Sequence, residues 1–310
     1  MTDKPQSWSL DELQQKAERP IAVVASPSTA SVARELLPYP HYSTFDAIPQ
    51  DTAALVVVGG GALMDAAKMY KHQHLPSSQL VAIPSLWGSG AEVSPVVVST
   101  ENGKKEFAVD DAFIPDAWVI LPDLVKALPE HLAHYGCGDA WSHVLEGALS
   151  PLASEELRNE GALLIKEMLT TKLSKDIAWF ELSARACRLQ SSSSVGLIHG
   201  IAHALEPTLR KAHPDDGWGH AKLCSILILP VMKLCQQSSS KWSDFAKAQS
   251  IDQQQAEGVW TSLFDQEAFQ QLLPHLEANW LSVLRNPLTR TNHAMVRRKD
   301  IQFFLAEDFT

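Results

Sequence analysis

The chain has 310 residues, of which 45% are hydrophobic, enough for one large core or two moderate ones. The formal charge is −10, from 36 acidic and 26 basic residues, and dense basic runs are lacking, which argues against nucleic-acid or anionic-membrane binding as the main task. Residues 1–20 are charged and polar, and the longest apolar run, 223–235, is interrupted by Pro230 and shorter than the roughly 20 residues that span a bilayer, so we expect a soluble protein with neither secretory signal nor membrane anchor.

Four short β-rich runs follow one another in the first 125 residues. They are IAVVAS (21–26), ALVVVGG (54–60), LVAIPS (80–85) and WVIL (118–121), separated by helical or loop segments, and they predict a parallel α/β sheet. From LPEHL (128–132) onward, apolar residues recur at helical spacing, with turns predicted at Pro151, Pro207, Pro214 and Pro274. We therefore predict two domains, residues 1–126 and 127–310, with a ligand cleft between them.

Two glycine-rich segments each follow a predicted strand. Residues 59–61 (GGG) precede a helix that begins near Ala62, so backbone amides and the helix N-terminus can face an anion such as a pyrophosphate. Because the segment is not GxGxxG, a glycine turn that serves only tight packing is an equal interpretation. A second segment, residues 85–90 (SLWGSG), reaches the same sheet edge. Together the two loops favour a dinucleotide site, lined by Gly59, Gly60, Gly61, Ser85, Gly88, Ser89 and Gly90.

An aspartate and several histidines recur at helical spacing in the second half. Asp139 and His143 stand four positions apart, so both side chains leave one face of a helix. His199 and His203 have the same spacing, and His220 follows a glycine-containing turn. Carboxylate plus imidazole is a ligand set of borderline cations such as Fe(II) and Zn(II), and the intervening apolar residues would exclude water. The set predicts a metal site built from three helical segments.

Each of these residues also has an ordinary structural interpretation. Asp139 taken alone is more typical of a helix N-cap after Gly138, and a single buried histidine is more typical of a hydrogen-bonded core residue. The metal hypothesis therefore depends on the whole set. Histidines without comparable apolar neighbours are interpreted as surface or capping residues, namely His131, His134 and His213.

The four cysteines are far apart or lie in apolar surroundings. None forms a CxxC pair, so a disulfide framework or a cysteine zinc site is not expected, and a reducing, cytoplasmic location fits. They are Cys137, Cys187, Cys224 and Cys235.

The order of these motifs resembles that of the iron-containing (group III) alcohol dehydrogenases, which are related to glycerol dehydrogenase and dehydroquinate synthase. The matching segments cover residues 54–233 and include GGGALMDAAK, IPSLWGSGAEVSPVVV, LPEHLAHYGCGDAWSHVLEG, GLIHGIAHALEP and GHAKLCSILILPVM. The resemblance implies an α/β N-terminal Rossmann-like nucleotide-binding domain followed by an all-α metal-binding domain, the architecture of dehydroquinate synthase.

The resemblance also implies roles for individual residues. It makes Asp139, His143, His199 and His220 the metal ligands and puts His203 near the nicotinamide as the catalytic histidine. The implied cofactors are a divalent metal (Fe²⁺ or Zn²⁺) and NAD(H) or NADP(H), and the implied assembly is a homodimer. The residues at cofactor-binding positions are Gly59, Gly60, Gly61, Asp65, Ser85, Gly88, Ser89 and Gly90, with Lys104 or, preferably, Lys105 as the lysine that approaches the cofactor.

The chain departs from the family pattern at several positions. Leu86 and Trp87 occupy a loop that is threonine-rich in the family, and a bulky indole there would reshape the cofactor or substrate pocket. Pro122 precedes Asp123 where the family has Asp-Pro. As 58 residues precede the first motif glycine, we expect a strand or helix usual in the family to be missing.

The third histidine ligand has two candidates. His220 lies 21 positions after His199, a wider spacing than is usual in the family, and His213 lies closer to the usual distance. We prefer His220, because the segment after it, AKLCSILILPVM, resembles the helix that follows the ligand in the family.

The favoured functional hypothesis is a metal-dependent, NAD(P)H-linked alcohol dehydrogenase or aldehyde reductase that acts on a small aldehyde or alcohol. The alternatives are a cyclising lyase on the dehydroquinate synthase scaffold and a non-catalytic metal-binding homologue. Asp139 and His143 follow the dehydrogenase pattern rather than that of the synthase, which has a glutamate. The substrate, the metal and the choice between NADH and NADPH stay open.

Overall fold

The computed structural model of the protein describes residues 5–101, 104–306 and 309. In these ranges, six strands form one parallel sheet in the spatial order β1-β8-β5-β4-β2-β3, and β6 and β7 pair as a separate antiparallel hairpin. The strands are β1 (Gln6–Trp8), β2 (Ile21–Ala25), β3 (His41–Tyr42), β4 (Ala54–Gly59), β5 (Gln79–Pro84), β6 (Val96–Glu101), β7 (Lys104–Val109) and β8 (Ala117–Val119).

The four predicted β-rich runs are confirmed as β2, β4, β5 and β8, and their parallel pairing is confirmed as well. The sequence analysis missed β1, β3 and the β6–β7 hairpin. Strands β1 and β3 have only three and two residues and contain polar side chains, so neither has the apolar run of a central strand.

Helices cover both faces of the sheet and form nearly all of the second half. The helices are α1 (Leu10–Lys16), α2 (Ala30–Leu36), α3 (Gly61–His74), α4 (Pro122–Ala127), α5 (Glu130–Leu149), α6 (Glu155–Thr170), α7 (Ala178–Ser191), α8 (Leu197–Ala212), α9 (His220–Gln236), α10 (Lys241–Ala248), α11 (Gln253–Leu263), α12 (Gln266–Arg285) and α13 (Ile301–Ala306). The predicted Rossmann-like sheet followed by a helical region is thus confirmed. Among the described residues, no helix combines the length and the apolarity that crossing a bilayer requires.

Two of the four proline turns were predicted wrongly. Pro151 and Pro214 lie in turns, but Pro207 lies inside α8 and Pro274 inside α12. An interior proline costs a helix about 3 kcal/mol, because it removes a backbone donor and crowds the preceding turn. Both helices bury an apolar face on either side of the proline, Leu205 and Leu209 in α8 for example, and this packing outweighs the local cost.

Two apolar cores lie on the two faces of the sheet. Alternate residues of β4 divide between them, because successive side chains of a strand point to opposite faces. Val56 and Val58 face the smaller core, whereas Leu55 and Val57 face a larger core that continues through Trp87 into the helices. The boundary at residue 126 stays a prediction, since this larger core is continuous across it.

Helix α5 is the centre of the helical region, and its residues 136–149 are all buried. Two of its glycines let neighbouring helices approach closely. A Cβ at Gly138 would lie 2.4 Å from the Cβ of Ser225 in α9, and one at Gly147 would lie 2.5 Å from a methyl of Leu189 in α7. The glycines of GCGDAWSHVLEG therefore serve helix packing, which offsets their cost of about 0.5–1 kcal/mol each within a helix.

The β6–β7 hairpin is fastened to α3 by buried polar contacts. The ammonium of Lys68, which is fully buried, donates to the carbonyls of Ser94 at 3.0 Å and Val96 at 2.9 Å. The Oδ2 of Asp65 accepts from the backbone N–H of Val98 at 3.2 Å. Buried charges need such partners. Lys68 and Asp65 therefore fix the position of the hairpin against α3.

We expect Gly90→Ala to destabilise the fold by roughly 2–4 kcal/mol. Gly90 has a φ of +60°, and its Cβ would lie 2.1 Å from the Cβ of Cys187. Urea unfolding followed by circular dichroism measures the change. Gly258→Ala is the matched control, because Gly258 lies within α11 and its Cβ would meet nothing within 4 Å; it should stabilise the protein by about 0.5–1 kcal/mol. Equal stability of the two variants would contradict this account.

Candidate metal centre and cofactor cleft

Helices α5, α8 and α9 bring one group of metal-binding side chains together. Ligand atoms of Asp139, His199, His220 and Cys224 all lie within 4.8 Å of one another. The Oδ1 of Asp139 is 3.9 Å from the Nε2 of His199 and 3.7 Å from the Nε2 of His220. Three of the four residues predicted as ligands therefore converge on one point.

Asp139 lies in the interior of α5 and is 1% exposed. The N-cap interpretation of this residue is therefore wrong. Burial by itself raises the pKa of its carboxyl, but the attraction of His220, His143 and His199 outweighs burial and lowers the pKa below its usual value. An ionised carboxylate among imidazoles is an arrangement that a divalent cation stabilises.

A further carboxylate lies beside each of the two histidines, and one of them is hydrogen-bonded to its ring. The Nδ1 of His199 donates to the Oε2 of Glu146 at 2.7 Å, which turns its Nε2 toward Asp139. The Nδ1 of His220 is 3.7 Å from the Oε2 of Glu206, an ion-pair distance that is too long for a hydrogen bond, while its Nε2 faces Asp139. A carboxylate on the far nitrogen is the usual support of a metal-binding histidine, because it fixes the ring and its tautomer.

The sequence analysis did not identify Glu146, Glu206 or Cys224. The spacing of each residue from a predicted ligand could nevertheless have identified it. Glu146 comes seven positions after Asp139, Glu206 seven after His199, and Cys224 four after His220, so each shares a helix face with a predicted ligand.

His143 lies beside this group rather than within the mutually close set. Its ring centroid is 4.6 Å from that of His199, with the rings 30° from parallel. Burial lowers the pKa of His143 to about 3, and the neighbouring His199 and His220 contribute. The imidazole is therefore neutral at physiological pH, which is the form that binds metals.

Several buried polar atoms at this centre have no hydrogen-bond partner in the described part of the chain. Native proteins leave few such atoms, so each calls for an explanation. A bound cation would account for the set, which fits the chemistry of these donors. The atoms are the Oδ1 of Asp139, the Nε2 of His199, the Nδ1 of His143, the Nδ1 of His203, the Nδ1 of His220 and the Oε2 of Glu206.

The β6–β7 hairpin reaches across to α8 and contacts it through two side chains. The ammonium of Lys105 is 3.2 Å from the Oε2 of Glu206, and the ring of Phe107 packs edge-on against His203 at 4.9 Å. His203 in turn lies 4.7 Å from the ring of His220. Lys105 thus contacts a residue that supports the centre, while the side chain of Lys104 lies outside the described part of the structure.

The first glycine segment leaves open space at the start of α3. Gly60 is the N-cap of α3, no side chain caps the helix there, and a Cβ at Gly60 would meet nothing within 4 Å. A Cβ at Gly61 would lie 2.8 Å from the Oγ of Ser89, so the two predicted cofactor loops are adjacent. Ser85 lies at the same edge, where its N–H donates to the carbonyl of Gly59 at 3.0 Å. These features fit a phosphate at the N-terminus of a helix.

The second glycine segment packs against the helices. The N–H of Gly88 donates to the Oγ of Ser183 at 2.7 Å, and a Cβ at Gly88 would lie 3.1 Å from the Cβ of Asp139. The expectation that Trp87 reshapes a pocket is wrong. Its indole is 1% exposed, donates to the carbonyl of Ala133 and packs edge-on against Phe180, so it fills the core between α5 and α7.

Asp65 is 9% exposed, and its contacts are with Val98 and Lys68. The structure gives it a role in holding the hairpin, and its role in cofactor binding stays a prediction.

The histidines interpreted as surface or capping residues lie apart from the centre. His131 is exposed, and the Nε2 of His134 is 3.1 Å from the carbonyl oxygen of Ser262. His213 follows the last residue of α8 and pairs with Asp216 at 3.3 Å. It is His220, and not His213, that reaches Asp139.

Comparisons with known proteins show what this chain resembles. Residues 45–122 match the family model for iron-containing alcohol dehydrogenase. The chain is 29% identical over 218 residues to the 1-propanol dehydrogenase PduQ of Salmonella typhimurium, an alignment that covers 64% of this chain and 58% of the relative. It is 29% identical over 213 residues to the bifunctional aldehyde-alcohol dehydrogenase AdhE of Escherichia coli, covering 56% of this chain and 24% of the relative.

The fold has close counterparts among solved structures. An iron-containing alcohol dehydrogenase from Thermococcus thioreducens superposes with a TM-score of 0.75 at 18% identity, over 97% of each chain. At that identity the superposition supports the fold alone. The motifs, the match of residues 45–122 to the family model and the curated relatives agree with it, and the chain is similar in sequence and in fold to iron-containing alcohol dehydrogenases.

Proposed function

We propose that this protein is a metal-dependent, NAD(P)-linked alcohol dehydrogenase that interconverts a small alcohol and its aldehyde. One observation carries the proposal. His199 and His220 each have Nδ1 directed at a buried carboxylate and Nε2 directed at the Oδ1 of Asp139, at 3.9 and 3.7 Å. Asp139, His199 and His220 would hold the cation, with His143 as the predicted fourth ligand.

The two cofactors, when bound, supply polarisation of an alcohol or carbonyl oxygen by the cation and hydride exchange by the nicotinamide. The protein supplies a closed setting for this chemistry. Asp139 and His199 are 1% and 2% exposed, so electrostatic interactions at the centre are poorly screened by water. The ring of Phe107 packs edge-on against His203 on the side of the site that the hairpin contacts.

His203 is the residue we assign to proton transfer. Burial lowers its pKa well below the usual value, and the nearby His220, His199 and Lys105 contribute. Its Nδ1 is buried without a partner among the described residues, so the neutral ring has a nitrogen that could accept a hydrogen bond from a substrate hydroxyl. Its position between Phe107 and His220 supports this role.

The dinucleotide is proposed to bind at the sheet edge formed by the ends of β4 and β5. The uncapped N-terminus of α3 would receive the pyrophosphate, and Ser85 and Ser89 offer hydroxyls beside it. Lys105 stands on the hairpin between this edge and the metal centre. A homodimer and a cytoplasmic location stay predictions, as do the identity of the metal and the nicotinamide form.

The proposed activity is tested directly with anaerobically purified protein, loaded with Fe(II) or Zn(II) and assayed with a panel of aldehydes and alcohols against both nicotinamides. We expect turnover that depends on both the metal and the nicotinamide. A lyase on the same scaffold would retain dinucleotide binding without net oxidation or reduction of substrate, and a non-catalytic homologue would bind metal without turnover.

His199→Ala should abolish retention of the metal, because it removes one of three converging ligand atoms. Metal content after gel filtration, measured by plasma emission spectroscopy, should fall from about one equivalent to a small fraction. His131→Ala is the control, since His131 is exposed and lies outside the cluster. Full metal content in the His199 variant would show that His199 is not a ligand.

Glu146→Gln should weaken metal binding by about 10–100-fold, as is typical for the partner of a ligating histidine. The amide keeps the shape of the side chain and can still accept from the backbone N–H of Ile198, which the carboxylate holds at 2.6 Å. The dissociation constant from a competition titration with a chelator is the measurement. Unchanged affinity, with an unchanged unfolding midpoint, would mean that the carboxylate does not support His199.

Gly60→Asp should reduce dinucleotide affinity at least about tenfold while leaving the fold intact. Aspartate is a favourable N-cap residue, and the φ of −87° at Gly60 suits any L-residue, but its charge would repel a pyrophosphate. Tryptophan fluorescence titration with NADH and NADPH measures the affinity. Gly60→Ser is the neutral control. If both variants bind the dinucleotide equally well, the phosphates do not sit at this helix end.

A further inference from the structure

Helix α8, which carries His199, begins after a residue that cannot cap it. Its N-cap is Gly196, which lies outside the helical range with φ −137° and ψ −139° and has no side chain to accept a hydrogen bond. The first N–H groups of a helix have no partners within that helix. Those of Leu197, Ile198 and His199 belong to buried residues, so they need acceptors from other parts of the chain.

Two side chains from distant parts of the chain supply these acceptors. The N–H of Leu197 donates to the Oδ1 of Asn292 at 3.2 Å. The N–H of Ile198 donates to the Oε1 of Glu146 at 2.6 Å. Both oxygens crowd the start of the helix, because a Cβ at Gly196 would lie 2.8 Å from the Oδ1 of Asn292 and 2.9 Å from the Oε1 of Glu146. Helix α8 is therefore capped jointly by α5 and by the segment that follows α12.

The same cap determines the direction of the His199 ring. The Oε2 of Glu146 accepts from the Nδ1 of His199 at 2.7 Å and from the backbone N–H of the same residue at 3.4 Å. A shift of the first turn of α8 relative to Glu146 would therefore also turn the Nε2 of His199 away from Asp139. Asn292 restrains this turn at its first N–H group, that of Leu197.

The side-chain amide of Asn292 is also held on its other side. Its Nδ2 donates to the carbonyl of Ala294 at 2.8 Å and to the Sγ of Cys235, near the end of α9, at 3.3 Å. The amide oxygen thus faces a donor and the amide nitrogen faces two acceptors, an arrangement that a flipped amide would lose. Within the described ranges, none of these hydrogen bonds goes to a proposed metal ligand. Any effect of Asn292 on the metal centre must therefore act through the start of α8.

We infer that Asn292 is a positioning residue of the proposed metal centre. It completes the cap of α8 and so keeps Glu146 and the His199 ring in the arrangement that directs Nε2 at Asp139. The inference rests on the proposed function and adds a residue to it that lies 95 positions after Leu197. The ordinary alternative is that Asn292 only fastens the segment after α12, which would affect stability and leave the metal centre unchanged.

Two substitutions at this position separate the alternatives. Asn292→Ala removes all three hydrogen bonds of the side chain. Asn292→Asp loses the two that Nδ2 donates, but its carboxylate can still accept from Leu197, and aspartate is favourable at the N-terminus of a helix. Full-length apoprotein is titrated anaerobically with Co(II) against a competing chelator, and the visible ligand-field spectrum of the Co(II)-loaded protein is recorded.

We expect Asn292→Ala to weaken Co(II) binding about tenfold, the low end of the range for residues that support a ligating histidine. Its ligand-field bands should also change, because the His199 ring is no longer held in one direction. Asn292→Asp should restore both the affinity and the spectrum to near those of the wild-type protein.

Thr291→Val is the matched control. The Oγ1 of Thr291 fastens the same segment by donating to the carbonyl of Val195 at 2.8 Å, which lies before the first turn of α8. This variant should unfold at a lower urea concentration while its Co(II) affinity and spectrum stay those of the wild type. If Asn292→Ala fails to fold, Asn292→Ser takes its place, since the hydroxyl keeps a polar group there but ends one bond short of the amide oxygen.

Unchanged Co(II) affinity in Asn292→Ala would overturn the inference and leave the proposed function standing. An equal loss of affinity in Asn292→Asp or in Thr291→Val would overturn it as well, because fastening of the segment rather than the cap would then be responsible. Absence of Co(II) binding in the wild-type protein would contradict the proposed metal centre itself, and the inference with it.

Discussion

A charged carboxylate buried among imidazoles is the constraint on which the helical region depends. Removing an ion from water costs several kcal/mol even after relaxation, so Asp139 can stay ionised only if partners surround it closely. His199 and His220 supply them from two other helices, Glu146 holds the ring of His199 by a hydrogen bond, and Glu206 lies 3.7 Å from the ring of His220. This arrangement requires α5, α8 and α9 to approach one another closely, and Gly138 of α5, which abuts Ser225, permits the approach of α9.

The two halves of the molecule are joined by polar contacts as well as by apolar packing. The β6–β7 hairpin is held to α3 by Lys68 and Asp65, and its other strand contacts α8 through Lys105 and Phe107. The glutamate that Lys105 meets is the one beside His220. One short hairpin therefore connects the sheet, which is proposed to bind the dinucleotide, with the side chains that surround the proposed cation.

Elements were predicted correctly where the pattern of residues within a single strand or helix was enough to identify them. Continuous apolar runs gave β4 and β5, and four-residue spacing put Asp139 with His143 and His199 with His203 on shared helix faces. Contacts between elements were not predictable in this way. The pairing of His220 rather than His213 with Asp139, the supporting role of Glu146 and the burial of Trp87 depend on how helices cross. Pro207 and Pro274 were misread because packing on both sides outweighed the local cost of an interior proline.

The loop after β5, residues 85–90, limits which substitutions this part of the chain can accept. Gly88 abuts Asp139 and Gly90 abuts Cys187, with room for no side chain at either position. One stretch of backbone is thus part of the proposed dinucleotide site and also packs directly against α5 beside Asp139. A bulkier loop introduced to alter the proposed dinucleotide site would also displace α5, the helix that carries Asp139. In this scaffold, coenzyme selection and ion geometry are therefore expected to evolve together.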